Sequence, residues 1–465
     1  MTCDVLVIGA GVSGLATAEA LLARGCDVQV VERQADVGGN ATSQQFDGFL
    51  MEHGPTTLNA AFPKAMTRIE GLGLAQSRVN LGPNVRKRIL RDGDALHGIS
   101  TRRLGFFLSS YLSPGARLSL LGEILRPRRA GGGEETIHAF VSRRFGTEFA
   151  DKVIEPMAAG IFMGDAKELS ISGSFPKLAQ MEQRYGSVLR GMLAAKRGSE
   201  PGRQLFSWPQ GIATLPRAMA ARLSGRVRTG VTVTRVTRKG GLFQVATAGH
   251  GTLSARRLVL AVQPHVAAQL LEKLDPQTAA ALGAIAAPPI AVAFLGYRKA
   301  QVAHPMDGLG FLSTKGAGQV ISGAQFSSTM FEGRAPAGHV SLSCYVGGAR
   351  DPQAAEMAAP ALSAAVHQEL SGLLGITGQP VVSRTRHWPR GLPHYTLGHS
   401  ARRATIDDTH KRVAGLYLTG NYLNGVSVTN CLENADKTAS LVMGESPGSS
   451  LREAQDLADI HAAAG

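Results

Sequence analysis

The chain has 465 residues, of which 44% are apolar and 18% charged, an ordinary globular composition long enough for two domains and a large core. Its formal net charge is +14, yet no nucleic-acid-binding motif accompanies the basic excess, so nucleic acid is not expected as a partner. No run approaches the length of a membrane-spanning helix, no basic region precedes the first apolar run, and Cys3, Cys26, Cys344 and Cys431 have no metal-ligand spacing. These features predict a cytoplasmic protein with reduced, packed thiols and no metal.

The first predicted element is a strand, Asp4 to Ile8. It runs into Gly9-Ala10-Gly11-Val12-Ser13-Gly14 and then a helix from Leu15 to Arg24. Strand, glycine turn and helix in this order form a dinucleotide-binding unit. Gly9 permits the tight turn, Gly11 lets a pyrophosphate approach the backbone, and Gly14 lets helix and strand pack closely. A second strand, Asp27 to Val31, ends on Glu32, placed to reach ribose hydroxyls. Arg33 hints at a 2′-phosphate, but an acid at Glu32 argues against it. A further glycine pair follows in Gly38-Gly39-Asn40. Glycines there let backbone pass close to phosphates, a pattern similar to flavin enzymes of the amine-oxidase type, so FAD is expected rather than NAD.

Helical pattern is read from about Lys87 to Lys196. Between Arg86 and Arg129 lie ten Lys/Arg and three Asp/Glu, a net +7 and half of the chain's excess. Arg102-Arg103 and Arg126 to Arg129 flank aromatic and aliphatic runs around Phe106, Phe107, Tyr111, Leu118 and Leu121. This suits an anionic membrane surface and equally a solvated basic helix over a buried face. Strand pattern returns from Val227 to Val245. Leu258 to Val262 and Gly415 to Asn421 look like returns to the nucleotide domain, the latter followed by a helix from about Asn430. Mixed strands are read from Pro288 to Val346.

The expected architecture is α/β: a discontinuous Rossmann-type FAD-binding domain (1–80, 205–265, 385–445) with inserted segments. These are a helical, basic, membrane-binding-like segment (81–204) and a mixed α+β substrate-binding domain (266–384), followed by a C-terminal tail (446–465).

Several blocks, in order from residue 4 to 442, resemble the protoporphyrinogen/coproporphyrinogen oxidase family of amine-oxidase-like flavoproteins. They are Ile154-Glu155-Pro156 to Asp165, Phe175-Pro176, Met181 to Ser187, Gly308-Leu309-Gly310-Phe311-Leu312, Tyr345 to Gly348, Trp388 to His399, and Asn421 to Cys431. The resemblance implies non-covalent FAD and oxidation of a porphyrinogen to the porphyrin in heme biosynthesis, with molecular oxygen as acceptor. It implies substrate contacts at Leu309, Gly310, Phe311, Leu312, Gln325 and Tyr345, with Arg88 pairing a propionate through its guanidinium fork. It also implies cofactor contacts at Gly9 to Gly14, Glu32, Arg33, Gly38, Gly39, Asn40, Gly54, Pro55, Thr56, Thr57, Val233, Trp388, Gly420, Asn421, Val426, Ser427 and Val428.

No protein group is expected to be catalytic in itself, because the flavin carries the chemistry. His53 is the one tempting base, and it, His394 and His399 are read as structural. Gln325, Tyr345, His394 and Thr56-Thr57 depart from the family's usual residues. The polarity at Gln325 and Tyr345 suits a substrate with more carboxylates, or a paralogue acting on another polycyclic or amine substrate. Tyr422 and Trp388 offer an aromatic cage for an amine. A non-catalytic flavin-bearing binding subunit is the reading from a different class. A homodimer and peripheral attachment to the inner face of the cell membrane complete the expected partners.

Overall fold

The computed structural model describes residues 2–100, 110–129, 131, 133–194, 205–314, 316 and 318–444. Two seven-stranded sheets organise it. In the first, Thr2–Ile8 lies between Val28–Val31 and Thr252–Leu260, all parallel. Val227–Arg228 extends one side and Leu416–Leu418 pairs with Thr252–Leu260. The two late returns to the nucleotide domain therefore sit in register with the first strand.

A parallel strand covered on both faces needs apolar residues at every position, and Val5-Leu6-Val7-Ile8 supplies them. Val5 and Val7 face helices Val12–Ala23 and Val428–Met443. Leu6 and Ile8 face the opposite core, which contains Ala267, Leu271 and Leu282 of helices Pro264–Leu271 and Pro276–Gly283. All four cysteines are free and buried.

The second sheet has the order Val382–Trp388, Ile290–Arg298, His339–Gly347, Ile321–Gln325, Gly308–Ser313, Lys87–Asp92, Ala95–Ser100. One face packs on helix Ala359–Leu374, whose Leu362, Val366, Leu370 and Leu374 recur at helical spacing. The other face carries a helical layer between Pro114 and Ala194.

The fold departs from two sequence expectations. Helical pattern does not begin at Lys87: Lys87–Asp92 and Ala95–Ser100 form an antiparallel hairpin, and the first helix after it among the described residues starts at Pro114. The register closes at Asp92–Ala95, leaving a two-residue Gly93-Asp94 loop with Gly93 at φ +60°. That turn favours glycine and matches strand twist. Val382–Trp388, placed partly with the nucleotide domain, pairs instead with Ile290–Gly296 of the second sheet.

The aromatic centre of the basic stretch divides. Tyr111 and Leu112 are buried in the helical layer, while Leu118, Leu121 and Leu125 are exposed. Arg102, Arg103, Phe106 and Phe107 lie outside the described residues.

Candidate functional site: a flavin cleft between two sheets

Gly9 stands at φ +106°, a conformation only glycine adopts without strain. A Cβ on Gly14 would overlap the Gly9 carbonyl oxygen, whereas one on Gly11 would meet only the Cα of Gly39, at 3.9 Å. Gly14 therefore serves packing, and Gly11 faces open space. Gly11 also starts helix Val12–Ala23, with no side chain capping its N-terminus. The second glycine pair clasps the first turn: Gly38 donates its N–H to the Ala10 carbonyl at 2.8 Å, and Gly39 stands at φ +60°. Glu32 completes this corner, its carboxylate accepting from the Ala10 and Gln34 N–H groups, each at 2.8 Å.

A second helix N-terminus meets the same space. Ser427 caps helix Val428–Met443 by accepting from the Asn430 N–H at 3.1 Å. The helix read from about Asn430 begins at Val428, directly after this cap.

Between these turns and the second sheet lies a cleft of about 410 Å³. Of the expected cofactor residues, Gly11, Val12, Ser13, Gly38, Gly39, Asn40, Gly54, Pro55, Thr56, Thr57, Trp388, Gly420, Asn421, Val426, Ser427 and Val428 line it. Gly9, Ala10, Gly14, Glu32, Arg33 and Val233 do not. The first three shape the turn from behind. Glu32 and Val233 sit farther along the same sheet end, where Val231 donates its N–H to the Glu32 carbonyl at 2.8 Å. Two bare glycine turns and two helix N-termini suit an anionic dinucleotide. Donor pattern and cleft fit FAD.

The expected substrate residues split. Gln325 and Tyr345 line the cleft, and the Tyr345 hydroxyl donates to Gln325 Oε1 at 3.1 Å, so the hydroxyl and the amide oxygen are paired within the protein. Burial pushes the Tyr345 phenol up and keeps it neutral. Phe311 is a correction: it is buried with Ile89 and Phe326 in the core behind the sheet. Alternation along the strand sends Phe311 to one face and Leu312 to the other, where Leu312 packs against the helical layer.

Gly310, at φ +134°, sits in a bulge where a Cβ would overlap the Ala324 carbonyl. The bulge by itself requires glycine, and Gly310 does not line the cleft. Leu309, half-buried, precedes it and does not line the cleft. Arg88 is exposed and also outside the lining. It lies on the face of its strand shared with Leu90, opposite the Leu309-Gly310 bulge. Gln325 pairs with Gly310 across the next strand, so Arg88 and Gln325 are two strand spacings apart, about 10 Å.

Sequence reasoning missed one whole wall. Gly160, Ile161 and Met163 of helix Glu155–Phe162 and its end line the cleft, as do Ala261 to Gln263, Ile290, Val292, Gly391 and Leu392. A Cβ on Gly160 would overlap Leu312, so this glycine lets the helix settle on the sheet. Residues 261–263 had a readable signal, since they follow a returning parallel strand at its carboxyl end, where such sheets bind ligands.

His53 lines the cleft. Burial and the nearby Arg386 hold its imidazole below the ordinary histidine range, hence neutral at physiological pH. It is pinned from both sides, its Nδ1 3.0 Å from the Thr42 hydroxyl and its carbonyl accepting from Trp388 Nε1 at 2.7 Å. Tyr422 is buried beneath the first sheet and does not line the cleft, so the Tyr422–Trp388 amine cage is not formed.

The tobacco (Nicotiana tabacum) chloroplastic protoporphyrinogen oxidase is 30% identical, over 95% of this chain and 85% of its own. The coproporphyrinogen III oxidase of Bacillus subtilis is 25% identical, over 94% of this chain and 97% of its own. Among solved structures, one named "Putative protoporphyrinogen oxidase", from Exiguobacterium sp. 255-15, superposes with a TM-score of 0.82 at 23% identity, covering 95% and 99% of the two chains. A double mutant of putrescine oxidase shares the fold at TM-score 0.72 and 17% identity, covering 96% and 100%. Residues 12–443 match the family described as flavin containing amine oxidoreductase. With that match and the paired glycine turns around one cleft, this chain belongs to the flavin-containing amine oxidoreductases, as an FAD-dependent oxidoreductase.

Proposed function

We propose that the protein oxidises a porphyrinogen to the porphyrin in tetrapyrrole biosynthesis, with oxygen as the final acceptor. The observation that carries this reading is the cleft itself, in which apolar walls meet at the flavin-binding turns. Gly160 and Ile161 stand on one helix, Val292 and Tyr345 on two paired strands of the second sheet. A bulky apolar macrocycle suits such a slot.

When bound, FAD supplies the hydride acceptor for a meso carbon. The protein's part is to position the ring, exclude water and neutralise the carboxylate arms. Tyr345 and Cys431 in the lining are kept protonated by burial, so neither offers a base at neutral pH. The Tyr345 hydroxyl occupies the Gln325 amide oxygen and leaves the amide N–H groups as donors in the slot, so both protoporphyrinogen and coproporphyrinogen are candidate substrates.

In air, purified protein is expected to raise porphyrin fluorescence above the uncatalysed rate with at least one of them. Arg88→Ala is expected to raise KM about tenfold or more, the loss of one charge-assisted pairing, with kcat nearly unchanged. An unchanged KM would remove Arg88 from the substrate site.

The reading extends to an anionic membrane surface. Leu118, Leu121 and Leu125 are 70%, 58% and 84% exposed on a short helix and the turn after it, beside exposed Arg128 and Arg129. Among the described residues no helix is long and apolar enough to cross a membrane. Surface docking matches this pattern. Flotation with anionic liposomes is expected at low salt and to fade as salt rises. Leu125→Asp should weaken it at least about tenfold, since burying one leucine contributes about 1.5–3 kcal/mol. Flotation unchanged by Leu125→Asp would exclude this face.

A further inference from the structure

We propose that Tyr395 is a positioning residue for the flavin, acting through the turn that its hydroxyl pinches shut. Tyr395 is 3% exposed, and its hydroxyl has two partners on that one turn. It donates to the Asn421 carbonyl at 2.5 Å and accepts from the Gly425 N–H at 3.0 Å. Gly425 stands at φ +97°. Asn421 before it and Val426 after it both line the cofactor cleft. The bonds thus fix the loop that delivers Val426 to Val428 at the second helix N-terminus.

The ring is also packed. It stacks on His399 at 4.1 Å and 12°. Burial, with Arg402 and Arg403 nearby, lowers the His399 pKa to about 4, so its ring stays neutral. A Cβ on Gly173 would press against Tyr395, whose carbonyl accepts from the Ser170 N–H at 2.7 Å. One residue earlier, the His394 ring lies 3.0 Å from the Phe162 carbonyl, at the end of the helix carrying Gly160 and Ile161. Residues 394–395 therefore join the opposite cleft wall to the cofactor turn.

Burial pushes the Tyr395 phenol up, which keeps its proton available for the Asn421 carbonyl. A phenylalanine fills the same volume and keeps the stack. It leaves a carbonyl and an N–H of one turn without their partner, and the turn is then free to relax.

The test measures FAD release from the purified holoenzyme, followed as free-flavin fluorescence, together with the visible flavin spectrum. No porphyrinogen is present, so the outcome is independent of the substrate reading. Tyr395→Phe is expected to release FAD about tenfold faster or more and to alter the vibrational shoulders of the bound flavin. His399→Leu, which removes the stack and spares the hydroxyl bonds, is expected to leave release within about twofold of the parent even where its thermal stability falls. FAD release unchanged in Tyr395→Phe overturns the proposal. So does failure of Tyr395→Phe to fold with FAD in excess, which would make the hydroxyl a scaffold element alone.

Discussion

Gly11→Val is expected to give a folded but colourless protein. Gly11 has extended backbone, with φ −72° and ψ 176°, that valine adopts without strain. A Cβ there meets only the Gly39 Cα at 3.9 Å, so the added side chain projects into the space where a pyrophosphate approaches. Circular dichroism should match the parent, while FAD affinity falls at least about a hundredfold, or about 2.7 kcal/mol. Gly14→Ala is the contrasting variant. Its Cβ would collide with the Gly9 carbonyl, so the fold suffers rather than the cofactor alone. A yellow, FAD-saturated Gly11→Val protein would contradict this placement of the cofactor.

The second large effect lies far from the cleft, at Glu123. Its carboxylate is fully buried and pairs with Arg144, itself fully buried. It also accepts from the Ser187 hydroxyl at 2.5 Å and from the Val188 and Leu189 N–H groups at 3.0 and 3.1 Å. Burial pushes the carboxyl up, but the bonds from Ser187 and Arg144 outweigh it and hold the group below its ordinary value of 4.5. The stability it contributes is therefore present above about pH 4.5 and lost as pH falls through the lower folded value.

Glu123→Ala leaves a buried guanidinium without its main partner and is expected to cost about 3–5 kcal/mol. Urea denaturation at pH 7 should show that loss. Hydrogen exchange should place it first in helices Ile137–Phe145 and Val188–Ala194, which the network joins. A cost below about 1 kcal/mol would mean that Arg144 is satisfied by Glu182, at 3.5 Å, and by the carbonyls of Arg126, Pro127 and Gly186.

The cofactor half of the site was legible in the sequence because each part is a local property of the chain. Gly9 and Gly38 need positive φ, Glu32 ends a strand, and Leu258 to Leu260 repeats the unbroken apolar character of Val5 to Ile8. The substrate half depends on partners distant in sequence. Lys87–Asp92 joins the second sheet through Gly308–Ser313, more than two hundred residues later. Only the Gly93-Asp94 loop announced it locally.

Phe311 and Leu312 are both apolar and adjacent. Which one faces the cleft side depends on how the Gly310 bulge sets the strand's register, and composition carries no trace of that. The wall at Gly160 to Met163 followed from a helix docking on Leu312, a contact with no local signature. Tyr422, two residues past the Gly420 turn, turned inward to the core instead of outward to the cleft.

The proposed oxidation requires electrons to pass from a porphyrinogen to the flavin in this cleft. Anaerobic mixing of the holoenzyme with coproporphyrinogen or protoporphyrinogen tests that step without an acceptor. Loss of the oxidised-flavin absorbance with at least one of them, and its return with porphyrin fluorescence on admitting oxygen, is the predicted result. A flavin that neither porphyrinogen bleaches, but that a diamine such as putrescine does, would contradict it.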